Sequence, residues 1–189
     1  MAGFIIAIGC IVNLLWGQVA GAVFFSVGLM AICVFKLNLF TGKAGKLFTN
    51  EITAWGLCRI WFENLTGSFY AYLLVLLTPI ANKITPAAQQ IMEIRCTNTV
   101  FANIILGVFC GLLMYIAVEG FAHTGNFVMI VFPVATFILC GFNHCIADMF
   151  YTMVGLSDWS AINALICTTI GNVIGANIIP IYKDFKTAA

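Results

Sequence analysis

The sequence predicts an all-α membrane protein with six transmembrane helices arranged as two inverted three-helix repeats, and three observations carry that prediction. The 189 residues are 62% hydrophobic and only 8% charged, with a mean hydropathy of +1.07, whereas soluble domains carry about 25% charged residues. Six apolar runs fit the length, because a helix needs about 20 residues to cross a hydrocarbon core of roughly 30 Å. The second and fifth runs are both broken late, and the third and sixth share an N-x-x-G motif.

The runs are 2–16, 19–40, 53–79, 97–121, 126–155 and 161–182, punctuated by polar residues, glycine or proline. The first, within MAGFIIAIGCIVNLLW, has neither a basic leader nor a small-residue cleavage site, so no cleavable signal peptide is expected. GQ separates it from the second run, which breaks at LNLFTGK. GKAGKLFTNEI leads into the third, which contains Asn64, Gly67 and Ser68. NKITPAAQQIMEI reads as a connector into the fourth, and the polar part of EGFAHTGN precedes the fifth, which breaks at GFNHC. LSDWS precedes the sixth, with Asn172 and Gly175. No connector is long enough to form a separate domain, so 1–189 reads as one membrane domain with repeats of about 1–80 and 95–185. Three spans per half place the halves in opposite orientations.

With both termini cytoplasmic, Lys43, Lys46, Lys183 and Lys186 lie inside and Lys83 and Arg95 outside, which agrees with the positive-inside rule. The net charge of +1 offers no basic tail for nucleic acid. The eight cysteines are scattered singly, without C-x-x-C, and read as reduced packing residues rather than metal ligands. Gly17 and Gly21, Gly107 and Gly111, and Gly171 and Gly175 have the small-xxx-small spacing that lets helices approach closely in lipid.

Polar residues inside apolar runs are the candidate site. His144 sits at mid-membrane depth beside a helix break, where an ionisable group usually faces a cavity or a partner. Asp148, four residues on, shares its helix face and is either a proton partner of His144 or an acidic cap of the half-helix. Thr41 lies at the other break; irregular backbone at that depth survives only in protein or beside a cavity, so Thr41 and His144 are expected to face each other across the pseudo-twofold axis. Arg95 and Lys43 stand at opposite ends of the presumed path, either raising the local anion concentration or simply snorkelling. Phe25, Phe40 and Phe137 lie in or beside the broken spans as candidate constrictions.

Together GFNHCIADMF, LFTG, VAGAVFFSVGL, FPVATF, ENLTGS and TIGNVIGA, spread from Ala2 to about Ile181, resemble the formate/nitrite transporter family of pentameric, aquaporin-like channels. The resemblance implies His144 as the central pore histidine, Thr41 as the loop residue opposite, and Arg95 where the family usually has a vestibule lysine. It further implies Phe25, Leu29, Leu39, Phe40 and Phe137 as apolar constrictions, and Asn172 as the last-span asparagine. Asn143 stands in place of the usual glutamate, Asp148 in place of asparagine and Gly111 in place of a common fourth-span asparagine, which touches the proton circuitry around His144. The N-terminal cytoplasmic helix of many members has no counterpart and the loop after Thr41 is short, so gating by an N-terminal segment is not expected.

The function so read is a channel or proton-coupled transporter for small monovalent anions and their conjugate acids. Formate is foremost, and nitrite, hydrosulfide, acetate and lactate are alternatives. A homopentamer in the plasma membrane, in contact with the bilayer, is implied, with no cofactor and no nucleic-acid partner. From a different class stands a membrane redox subunit holding haem or metal on His144 and His123.

Overall fold

The computed structural model describes residues 1–155 and 158–188. Within them the chain forms eight helical elements and no strand. The connector LSDWS begins with two residues outside that range.

The first element, α1 (Ala2–Val34), is a hairpin of two helical arms, Ala2–Gly17 and Val19–Val34. The turn is made at Gly17, whose φ of 75° belongs to a region that side chains other than hydrogen disfavour. The arms then run back to back. A Cβ on Gly21, Gly9 or Gly28 would lie 2.6, 2.9 or 3.0 Å from backbone atoms of Asn13, Phe25 and Ile5 respectively. Gly21 therefore serves close packing as its spacing implied. Gly17 is there for its dihedral angles, since a Cβ added to it would meet nothing within 4 Å.

After a break come α2 (Phe40–Ala44) and α3 (Ala54–Leu76), the latter capped by the Thr53 hydroxyl accepting from the Gly56 N–H at 3.0 Å. The segment expected to be a connector after the third span is instead α4 (Ile80–Thr97), which buries Ile84, Ala88 and Met92 along one stripe. Low hydropathy hid this helix: its outer face carries Asn82, Lys83, Gln89, Gln90 and Glu93, so it is amphipathic and not an apolar span.

The second half repeats the plan with α5 (Val100–Thr124), α6 (Val128–Leu139), α7 (Cys145–Val154) and α8 (Trp159–Ala188). Of the described helices, α5 and the Trp159–Asp184 part of α8 are each long and apolar enough to cross a bilayer; the arms of α1, α6 and α7 are shorter apolar helices. The fifth span is thus α6 and α7 in series, as the second is the Val19–Val34 arm and α2. The two long helices lie against each other with almost no space between backbones: a Cβ on Gly175 would fall 1.9 Å from the Val108 carbonyl oxygen, and one on Gly111 2.2 Å from that of Asn172. The same contact recurs in the first half, where Gly3 meets the Asn64 carbonyl oxygen and Gly67 meets the Phe4 N–H nitrogen.

The breaks repeat bond for bond. In the first, Leu37 N–H donates to Ile32 O and Lys43 N–H to Leu39 O. In the second, Phe142 N–H donates to Phe137 O and Asp148 N–H to His144 O, the same positions moved by one constant register. The left-handed residue that turns the chain is Lys36 (φ 53°) in one and Gly141 (φ 69°) in the other. Lysine at such an angle costs on the order of 1 kcal/mol that glycine avoids.

Candidate functional site

The site is built where the two breaks meet. At each, the first residue of the short half-helix presents a free backbone N–H, because an α-helix leaves its first donors without intrahelical partners. Asparagines from α3 and α8 take these donors: Asn64 Oδ1 accepts from Phe40 N–H and Asn172 Oδ1 from Cys145 N–H, each at 2.9 Å. Asn64 Nδ2 donates to Asn38 O at 2.9 Å, while Asn172 Nδ2 donates to Gly107 O and Asn143 O at 2.8 and 2.9 Å. The N-x-x-G motif thus has two parts, a glycine for helix contact and an asparagine that pins the break.

Held this way, His144 becomes the N-cap of α7, its Nδ1 accepting from Ala147 N–H at 3.1 Å. The neutral ring therefore carries its proton on Nε2, which lies 3.0 Å from Thr41 Oγ1. Nε2–H donates and the threonine oxygen accepts, leaving the hydroxyl hydrogen available to another acceptor. Thr41 and His144 are both about 1% exposed. Phe137 stacks on the imidazole at 5.6 Å between centroids and meets Phe25 edge-on at 5.7 Å. Leu29, Leu39 and Phe40 are buried in the same core.

Two cavities flank this pair. One, of about 470 Å³, is lined among others by Arg95, Asn143, His144, Phe137 and Tyr151. The other, of about 490 Å³, is lined by Lys36, Leu39, Gly42, Lys43, Lys46 and Glu119. Thr41 precedes Gly42 and Lys43 of the second and bonds His144 of the first, so buried side chains separate the two.

The structure alters the expected roles of two charges. Asp148 turns its carboxylate to the Arg95 guanidinium, with which it forms a buried ion pair, and not to the His144 ring. Its link to His144 is the backbone bond within the first turn of α7. Arg95 accordingly reaches its cavity already paired, with its Cζ 5.9 Å from the centre of the Tyr151 ring. Asn143 is buried and joins an amide chain, donating to Asn103 Oδ1 at 3.0 Å while Asn103 Nδ2 donates to Arg95 O at 2.8 Å. Sequence reasoning saw Asn64 only as the repeat partner of Asn172, without its role at the break, and missed Asn103 and the Arg95–Asp148 pair. His123 lies exposed in the last turn of α5, and among the described residues no group of three or more His, Cys, Asp or Glu side chains is placed to hold a metal.

The family model described as "Formate/nitrite transporter" matches residues 1–182. The chain belongs to the formate/nitrite transporter family. It is 25% identical to the formate channel FocA of Haemophilus influenzae, an alignment covering 91% of this chain and 76% of that protein. With the probable formate transporter of Methanothermobacter thermautotrophicus it shares 30% identity over 85% of this chain and 71% of the relative. A solved pentameric formate channel with formate bound superposes with a TM-score of 0.82 at 21% identity, covering all of this chain and 94% of the other. An FNT-family ion channel gives 0.84 at 20% identity, covering all of this chain and 87% of the other. These structures share the fold, and with it the helical membrane architecture of two repeats and two broken spans. Members of this family are transporters and channels.

Proposed function

We propose that this chain conducts small monovalent anions and their conjugate weak acids, formate foremost, past a midpoint formed by His144 and Thr41. The observation that carries this reading is the 3.0 Å Thr41–His144 contact lying between two cavities in a buried apolar setting. A bare anion beside Phe25, Phe137, Leu29, Leu39 and Phe40 loses hydration worth several kcal/mol or more, whereas its neutral acid loses far less. A hydrogen-bond donor at the midpoint lowers that barrier, and proton coupling through His144 follows if a proton is shared there. Asn143 and Asn172 act by holding the break, and Phe40 through the Asn64 bond.

The whole chain acts as one channel unit, and the pentameric formate channel it resembles supports five such units in a ring. Its place is the plasma membrane, with both termini cytoplasmic. The test is flux in proteoliposomes across formate, nitrite, hydrosulfide, acetate and lactate at two pH values. Formate-dependent swelling or current supports the proposal, and its absence with all five solutes sinks it. A haem band in the purified protein would instead favour the redox reading.

A further inference from the structure

The charges lining the two cavities are not balanced alike. In the first, Arg95 is the only Lys, Arg, Asp or Glu on the wall among the described residues. Its guanidinium is engaged by Asp148, a carboxylate 1% exposed that stands behind it and off the wall. In the second, Lys36, Lys43, Lys46 and Glu119 line the wall. Lys46 is shared between Glu51 at 2.7 Å and Glu119 at 3.9 Å. Neither Lys36 nor Lys43 has a carboxylate oxygen within 4.0 Å among the described residues.

An ion pair in contact presents a dipole, whose field falls off much faster than that of a lone charge. Uncompensated ammoniums in a concave, low-dielectric mouth concentrate anions there and raise the rate at which they enter. The mouth with three lysines against Glu119 and the nearby Glu51 keeps an excess of positive charge, and the mouth where Arg95 is paired with Asp148 does not. Asp148 decides which: without its carboxylate, Arg95 would make the first mouth attractive as well.

We propose that Asp148 cancels Arg95, so that small monovalent anions load chiefly at the Lys36–Lys43 mouth and pass faster from that side. This rests on the channel reading above. The asymmetry acts on rates at subsaturating anion, not on the final distribution, since nothing in it supplies energy. The amide variant Asp148→Asn keeps a hydrogen-bond acceptor for Arg95 while removing the charge.

The test is formate current in planar bilayers at low ionic strength and neutral pH, where formate is the anion. Orientation is read from protease access to a C-terminal tag. The C-terminal half of α8 packs on α2, with Asn177 Nδ2 donating to Ala44 O at 2.9 Å, which puts the tag on the lysine side. The unaltered protein should pass roughly two- to tenfold more formate from the lysine mouth than from the other. Asp148→Asn should bring the ratio near one by raising current from the Arg95 side. Lys36→Gln with Lys43→Gln should bring it near one by lowering current from the lysine side, and high salt should flatten all three. Equal currents in the unaltered protein, or Asp148→Asn lowering both directions alike, overturn the proposal. Should Asp148→Asn not fold, the lysine double variant decides alone. No formate current in any variant overturns the channel reading, and this inference with it.

Discussion

Asn64 and Asn172 hold the two helix breaks with the same bond: each side-chain oxygen accepts the first backbone N–H of a half-helix at 2.9 Å. They are not equally placed. Asn172 also takes two buried carbonyls, Gly107 and Asn143, whereas Asn64 adds only the carbonyl of the exposed Asn38, which water can serve. Each buried group left unpaired costs about 1–3 kcal/mol. Asn172→Leu should therefore lower the unfolding temperature in detergent more than Asn64→Leu, since it strands the buried Cys145 N–H and Asn143 O, whereas Gly107 O keeps its bond within α5 and Asn64→Leu strands only the Phe40 N–H. The reverse order would show that the second break is held by something other than this side chain.

Gly175 and Gly111 fix the separation of α5 and α8. A Cβ at either would fall 1.9 or 2.2 Å from a carbonyl oxygen of the facing backbone, and backbone cannot swing aside. Overpacking of this kind costs about 1–3 kcal/mol and sometimes more, so Gly175→Ala and Gly111→Ala should sharply reduce the yield of folded protein. Gly42→Ala is the control: its nearest neighbour is a Val118 methyl at 3.3 Å, which a small rotation relieves. Size-exclusion profiles of the three variants check this, and a monodisperse Gly175→Ala protein would contradict it.

What the sequence could reveal is set by distance along the chain. The breaks at LNLFTGK and GFNHC are legible because polar residues and glycine interrupt apolar runs locally, and the asparagine pairing is legible because repetition doubles a weak signal. The α1 hairpin shows through GQ for the same local reason. By contrast α4 reads as a connector, since its apolar stripe of Ile84, Ala88 and Met92 is diluted by polar residues and interrupted by Pro86. The Arg95–Asp148 pair escapes because its partners come from α4 and α7, and nothing local ties a lone arginine to a lone aspartate. A sequence locates charges; their neutralisation is a tertiary fact.

Beside the lysine cavity, Lys46 and Glu51 form a half-exposed pair at 2.7 Å. The Lys46 ammonium, with the Thr49 hydroxyl, holds the Glu51 carboxyl below the usual range, and Glu51 in turn raises the Lys46 ammonium. A lowered carboxylate contributes stability above its ordinary value of about 4.3 and loses it as pH falls through the depressed one. A raised lysine contributes below about 10.4 and loses it as pH rises through the raised one. Glu51→Gln should thus lower stability by a constant amount, under about 1 kcal/mol given the exposure, between roughly pH 5 and 10. The difference should close at either extreme. Unfolding curves in detergent across that range measure it, and a deficit that grows steadily with acidity would refute the assignment.

The central pair offers the sharpest test of mechanism. Because His144 Nδ1 is occupied by Ala147 N–H, any proton that the ring shares with a passing solute must move at Nε2, and Thr41 stands on that atom at 3.0 Å. In the proposed mechanism Thr41 relays that proton, since its oxygen receives from the ring and its hydrogen can be given onward. Thr41→Val removes both functions without removing volume, whereas Thr41→Ser keeps the hydroxyl. Hydrogen bonds to charged groups are worth about 1.5–3 kcal/mol, so Thr41→Val should cut formate flux by roughly tenfold or more. Its pH profile should change as that of His144→Asn does, while Thr41→Ser stays close to the unaltered protein. Proteoliposome flux from acid to alkaline pH distinguishes the cases, each with assembly verified by size exclusion. If Thr41→Val and His144→Asn leave the pH profile where it was, the pair shapes the pore wall and takes no part in moving a proton.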